Sequence, residues 1–141
     1  MPRRTTRPKP PTVTADAACP CGLSATYGTC CGRFHTGSAT APTCELLMRS
    51  RYCAFVVRDE AYLLRTWHPT TRPRSVDFDP DMCWSGLEVV DTTDGSMFHT
   101  TGTVTFVARY THGSEPGALR ERSRFERYDG AWVYVDGTFE E

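Results

Sequence analysis

The apolar positions change period once along the chain, from helical to alternating, and that change predicts the architecture. Leu46, Leu47, Ser50, Cys53, Ala54 and Val57 recur at helical spacing along one face, and Met48, Tyr52 and Phe55 form a second apolar stripe. Arg49, Arg51 and Arg58 occupy what remains. A helix with two apolar stripes is covered on two sides. Thr43 is placed to cap its start and Asp59 to cap a second, shorter helix carrying Ala61, Leu63, Leu64 and Trp67, which Pro69 stops.

Beyond Pro69 the period becomes two. Leu87 to Val90 reads as a short strand, and Asp94-Gly95 as a hairpin signal. Phe98, Val104, Phe106, Ala108 and Tyr110 share one face of a long strand, with Thr101, Thr103 and Thr105 on the other. His112 to Gly117 reads as a turn. Leu119, Glu121, Ser123 and Phe125 then line one strand face opposite Arg120, Arg122 and Arg124. Asp129-Gly130 is a second hairpin signal, and Trp132 to Val135 closes a meander. Helices first and antiparallel strands afterwards is an α+β order. The sheet buries one face on the helices and leaves its arginine face wet.

The segment before the first helix follows neither period. Residues 1–17 are rich in Pro, Thr and Arg and read as a flexible tail. Residues 18–37 hold four of the seven cysteines among Gly, Pro and Thr, and 38–141 form the α+β domain. A segment as short as 18–37 cannot bury a useful core, so a covalent or coordinative link must hold it. Cys19 and Cys21 flank Pro20 in a tight turn, and Cys30 and Cys31 follow after a loop. Two ligands in a turn and two after a loop can reach the corners of one tetrahedron, the geometry zinc adopts in closed structural sites. Cys19, Cys21, Cys30 and Cys31 are therefore the expected ligands, with His35 the substitute if Cys31 points away. Thiolates also suit iron. Four thiolates leave a negative site, which Arg33 can offset from outside. The rival readings are buried thiols, which would need apolar neighbours where Pro, Gly and Thr stand, and a redox dithiol. Cys44, Cys53 and Cys83 read as small hydrophobes.

Composition narrows the setting. The 16 basic and 17 acidic residues give a net charge of −1, so no global field points to nucleic acid. The longest apolar run, Cys53 to Val57, is too short to span a membrane, and the basic N-terminus lacks the apolar stretch of a secretory signal. An odd number of cysteines without such a signal points to the reducing cytoplasm.

These residues also carry a resemblance. Cys19-Pro20-Cys21-Gly22, Tyr27 and Cys30-Cys31 resemble the SEC-C metal-binding motif, named for the C-terminal tail of the translocase ATPase SecA. There the ligands are three cysteines and a histidine directly after the third. Cys31 stands in the histidine position here, and Gly22-Leu23-Ser24 departs from the motif's Gly-Ser-Gly. The rest is similar to the YchJ-like family through Cys30-Cys31-Gly32-Arg33-Phe34-His35, Leu47-Met48-Arg49-Ser50-Arg51-Tyr52, Thr66-Trp67-His68-Pro69 with Thr71-Arg72-Pro73, Glu121-Arg122-Ser123-Arg124-Phe125 and Trp132-Val133-Tyr134-Val135-Asp136-Gly137. That resemblance implies a nuclear-transport-factor-2-like fold, a cone of curved antiparallel sheet closed by helices. It implies a homodimer through the sheet as an oligomeric option, and no particular reaction.

Three functions follow as expectations. The first is an adaptor whose metal knuckle contacts a protein or ribosomal partner. The second is an enzyme or small-molecule receptor using the open cone, with candidate lining residues Trp67, His68, Arg72, Trp84, Glu121 and Ser123. Glu121 or His68 would be its acid/base group and Arg72 its anion site, although an Arg72–Glu121 pair serving only to support the fold is the plainer expectation. The third is thiol redox chemistry. An enzyme is the lesser expectation.

Overall fold

The computed structural model describes residues 12–140. A 3-10 turn (Tyr27–Thr29) leads into a short helix α1 (Cys31–His35), followed by α2 (Cys44–Val57) and α3 (Glu60–Arg65). Four strands then form one antiparallel meander in the order β1 (Met82–Asp94), β2 (Thr101–His112), β3 (Glu115–Tyr128) and β4 (Ala131–Glu140). Among the described residues, no helix is long and apolar enough to cross a membrane.

The helix boundaries follow from local chemistry. The Thr43 side chain accepts from Leu46 N at 3.2 Å and the Asp59 carboxylate from Tyr62 N at 3.0 Å, so each satisfies a first-turn N–H that the helix cannot. Arg58 ends α2 in the left-handed region, with φ 58° and ψ 48°, and the chain turns directly into α3.

The sheet follows the period-two expectation across its centre. Val104, Phe106 and Ala108 on β2 and Glu121, Ser123 and Phe125 on β3 are buried, whereas Arg122 and Arg124 face water. Leu47, Met48, Ala54, Tyr62 and Leu63 join the same core from the helices. Bulges between Trp84 and Gly86, Val89 and Asp91, and Arg124 and Phe125 increase the local twist and curve the sheet around α2. Backbone bonds His68 N to Tyr134 O and Tyr134 N to Thr66 O, both 2.8 Å, tie the end of α3 to β4.

Several expectations change. β1 is far longer than Leu87–Val90, because its bulges interrupt the alternation that marks a strand. Phe98 lies outside β2, in the β1–β2 connection, and is 92% exposed. The turn read at His112–Gly117 contracts to two residues, since His112 pairs with Glu115. Residues 1–11 of the expected tail lie outside the described residues. Its end is bound into the knuckle: Gly28 N donates to Ala15 O at 2.9 Å and Tyr27 N to Ala17 O at 2.8 Å. Arg51, on the strip opposite the two apolar stripes, is buried at 6% exposure. Its Nη1 donates to Leu63 O at 2.8 Å and to Thr66 Oγ1 at 2.7 Å, which draws the side chain under α3.

Candidate metal centre and cone cavity

The knuckle has two parts that converge on α2. Residues 18–26 form a tight loop in which Cys19 N donates to Ala25 O and Gly22 N to Cys19 O. Gly22 adopts φ +90°, a conformation that favours glycine, and so turns the chain away immediately after Cys21. Residues 27–35 bring Cys31 to the start of α1. Gly32 is required there, because a Cβ would lie 2.7 Å from Tyr27 O.

The Sγ atoms of Cys19, Cys21, Cys31 and Cys53 all lie within 4.8 Å of one another, with Cys19 and Cys53 at 3.6 Å. All four residues are buried. Zinc–thiolate bonds of about 2.3 Å set the edges of a tetrahedron at about 3.8 Å. Four buried sulfurs at this spacing fit one divalent ion and leave no open position.

Mutual hydrogen bonds move the four cluster thiols in different directions. Hydrogen bonds from Cys21, then Cys31 and Cys53, hold the Cys19 thiol far below the usual range. The Cys21 thiol is lowered to about 6, with Cys19 opposing the thiolate and Cys31 and Cys53 supporting it. Cys31 and Cys53 are pushed up, each first by its bond to Cys19. Two arginines approach from outside: Arg49 Nη1 donates to Cys21 O at 2.6 Å and Arg33 Nε to Cys30 O at 3.2 Å. Arg33 was expected in this role, whereas Arg49 was not.

The close sulfur cluster differs from the expected ligand set at one position. Cys30 lies beside Cys21, 3.6 Å between sulfurs, but outside the mutually close four. Burial, then Cys21, raises its thiol to about 12. Cys30 sits at the N-cap of α1, which directs its side chain differently from that of Cys31. Cys53, read as a small hydrophobe, supplies the fourth sulfur of the cluster from α2. His35 is not placed to substitute. Its Nε2 faces Ser50 O at 2.8 Å and must carry the proton, so Nδ1 accepts from Tyr27 OH at 2.5 Å. Both ring nitrogens are engaged, and the ring packs 4.6 Å from Tyr62. Cys44 is buried beside Gly95 and Gly102, and Cys83 is exposed. Sequence spacing missed Cys53 because it belongs to a separate helix. Its one available signal was its place on the α2 face that also carries Ser50.

Behind α2, the cone encloses a cavity of about 310 Å³. Trp67, Trp84, Glu121 and Ser123 line it as expected, together with Arg51, Tyr52, Phe55, Phe106, Phe125 and Tyr134. His68 and Arg72 do not. The His68 Nδ1 accepts from Thr70 N and Oγ1 and caps the turn after α3. The Arg72 Nε and Nη2 donate to Trp67 O at 3.2 and 2.9 Å. Proline at 69 and the turn through Thr71 hold both side chains outside the cone.

The expected Arg72–Glu121 pair is absent among the described residues. Glu121 instead accepts at Oε2 from Ser123 Oγ and, at 3.3 Å, from Tyr134 OH. The buried cation is Arg51, stacked over Trp67 and Tyr134 with its guanidinium 4.9 and 4.7 Å from the ring centres. Burial lowers its pKa to about 10, while Tyr134, Tyr62 and Glu121 act in the opposite direction, so it stays charged at neutral pH. Gly137 leaves the space that Glu121 occupies, since a Cβ there would run into the carboxylate. Trp67 Nε1 is buried with no hydrogen-bond partner among the described residues, and its ring stands edge-on to Tyr134.

Comparison with known proteins places these features in a family. A family model described as "YchJ, middle NTF2-like domain" matches residues 43–137. A UPF0225 protein of Streptomyces avermitilis is 66% identical over 137 residues, covering 97% of this chain and 91% of the relative. One from Corynebacterium glutamicum is 49% identical over 119 residues, covering 84% and 94%. The solution structure of a SEC-C motif containing protein from Rhodopseudomonas palustris superposes with TM-score 0.75 at 30% identity, over 87% of this chain and 98% of that one. The crystal structure of another, from Psychrobacter arcticus, gives 0.72 at 26% identity, over 90% and 85%.

Proposed function

The chain belongs to the family of UPF0225 proteins built on the YchJ middle NTF2-like domain, and from that premise we propose that it is a binding protein stapled by one structural zinc ion. The observation that carries this is the convergence of four buried sulfurs from three separate segments, within 4.8 Å of one another. Cys19, Cys21, Cys31 and Cys53 hold the ion, which supplies a crosslink between knuckle and α2. An all-sulfur, four-coordinate set with no open corner suits zinc in a structural role better than a hydrolytic one. Burial also argues against dithiol exchange, which needs a sulfur that a partner thiol can reach.

The test is metal analysis of protein purified under reducing conditions, followed by thiol titration before and after chelation. One zinc per chain is expected, with the cluster thiols unreactive until the metal is stripped. Near-zero zinc and iron with freely titrating thiols would sink the proposal in favour of redox chemistry. Stoichiometric iron would retain the site and replace the metal.

For what is bound, the cone favours a small-molecule receptor over docking through the knuckle. The ion is enclosed and offers nothing directly to a partner. The cavity, by contrast, has the apolar walls and few polar groups expected of a ligand site.

A further inference from the structure

Two charged groups in the cone have hydrogen-bonding capacity that the protein leaves unused. Arg51 has five N–H donors, and its recorded bonds to Leu63 O and Thr66 Oγ1 both use Nη1. Among the described residues, Nη2 and Nε make no hydrogen bond, and Arg51 lines the cavity. Glu121 is in the same position with opposite sign. Ser123 and Tyr134 both donate to Oε2, while Oε1 accepts no hydrogen bond among the described residues and Glu121 lines the cavity. The residues are only 6% and 8% exposed. Arg51 and Glu121 do not pair with each other within 4.0 Å. Buried charge left this way is costly unless something completes it.

The charge balance selects the ligand. A lone anion at Arg51 would also face the Glu121 carboxylate, and a lone cation at Glu121 would face Arg51. A molecule with an anionic and a cationic group close together satisfies both and leaves the cone neutral, which is complementarity of the kind that sets specificity. The remaining walls, including Tyr52, Phe55, Trp84 and Phe106, are aromatic. Resting on the receptor reading above, we propose that the cone binds a small zwitterion with an apolar, aromatic-sized side chain, a free amino acid in chemical class. Its carboxylate meets the free Arg51 donors, its ammonium meets Glu121 Oε1, and its side chain fills the aromatic end.

The experiment uses the full metal-loaded chain and four probes of one shape: L-phenylalanine, 3-phenylpropionate, phenylalaninamide and 2-phenylethanol. Binding is followed by tryptophan fluorescence, since Trp67 and Trp84 line the cavity, and by amide chemical shifts. L-Phenylalanine should bind at least about tenfold more tightly than either singly charged analogue, the loss of one charge-assisted contact. Glu121→Gln, which keeps the side chain's shape, should erase the preference for phenylalanine over 3-phenylpropionate. Leu119→Trp, which fills the cavity from β3, should abolish binding of all four. Tighter binding of a singly charged or neutral probe would overturn the zwitterion assignment while leaving the receptor intact. An unchanged preference in Glu121→Gln would also overturn it. No binding by any probe at millimolar concentration, with the folded spectrum retained, would overturn both.

Discussion

The knuckle and the cone are folded by different means, although they share a helix. In the knuckle the buried apolar residues are Cys19, Cys21, Cys30, Cys31 and Phe34, and four of these five are cysteines. In the cone, Leu47, Leu63, Val104, Phe106, Phe125 and Trp132 bury large side chains against one another. The first region is too small to order itself by the hydrophobic effect, and the second has no need of a metal. α2 serves both: Cys53 faces the sulfur cluster, and Met48, Arg51, Tyr52 and Phe55 face the cavity. On the proposed reading, a metal sets where the knuckle sits, whereas apolar burial sets the shape of the cavity.

The largest effect should come from removing the metal. Zinc binding contributes about 10–16 kcal/mol in small peptide modules, so chelation should erase hydrogen-exchange protection over residues 18–37. Protection in β2 and β3 should survive. Loss of both together would show that the regions are one cooperative unit and break the contrast. Next comes Phe125→Ala, which empties a fully buried position of the cone. It should cost about 3–5 kcal/mol in denaturant unfolding while the protein still carries its metal.

Smaller effects sharpen the boundary. Thr43→Ala removes the N-cap of the shared helix and should cost about 1 kcal/mol, read as a shift in Tm. The weakest effect is pH dependence at His35, whose burial, opposed by its bond to Ser50 O, lowers its pKa below the ordinary value of about 6.5. The unfolded chain takes up a proton near pH 6.5 that the folded chain refuses. The contribution of His35 is therefore fully present above that pH and declines as pH falls toward its folded pKa. Unfolding curves of wild type and His35→Gln should differ in slope as pH falls below about 6.5, with the wild type losing more stability. Parallel curves would show that His35 makes no contribution to the acid sensitivity.

Local chemistry was legible in the sequence. The Thr43 and Asp59 caps, the Asp129-Gly130 turn and the alternation of Leu119, Glu121, Ser123 and Phe125 depend on neighbours a few residues away, and all appear in the structure. So does the gathering of Cys19, Cys21 and Cys31. What was hidden depends on tertiary contact. Cys53 becomes a candidate ligand only once α2 lies under the knuckle. Arg51 becomes a cavity residue only once the α3 carbonyl at Leu63 and the Thr66 hydroxyl draw it inward. Arg72 and His68 looked like pocket residues by proximity to Trp67, yet the turn after α3 directs them to backbone and hydroxyl partners instead.

The most direct measurement is X-ray absorption at the metal edge, comparing wild type with Cys30→Ser and Cys53→Ser. The account predicts four sulfurs at about 2.3 Å in wild type, an unchanged spectrum in Cys30→Ser, and a lost sulfur or lost metal in Cys53→Ser. An intact four-sulfur shell in Cys53→Ser, with the shell broken in Cys30→Ser, would contradict it.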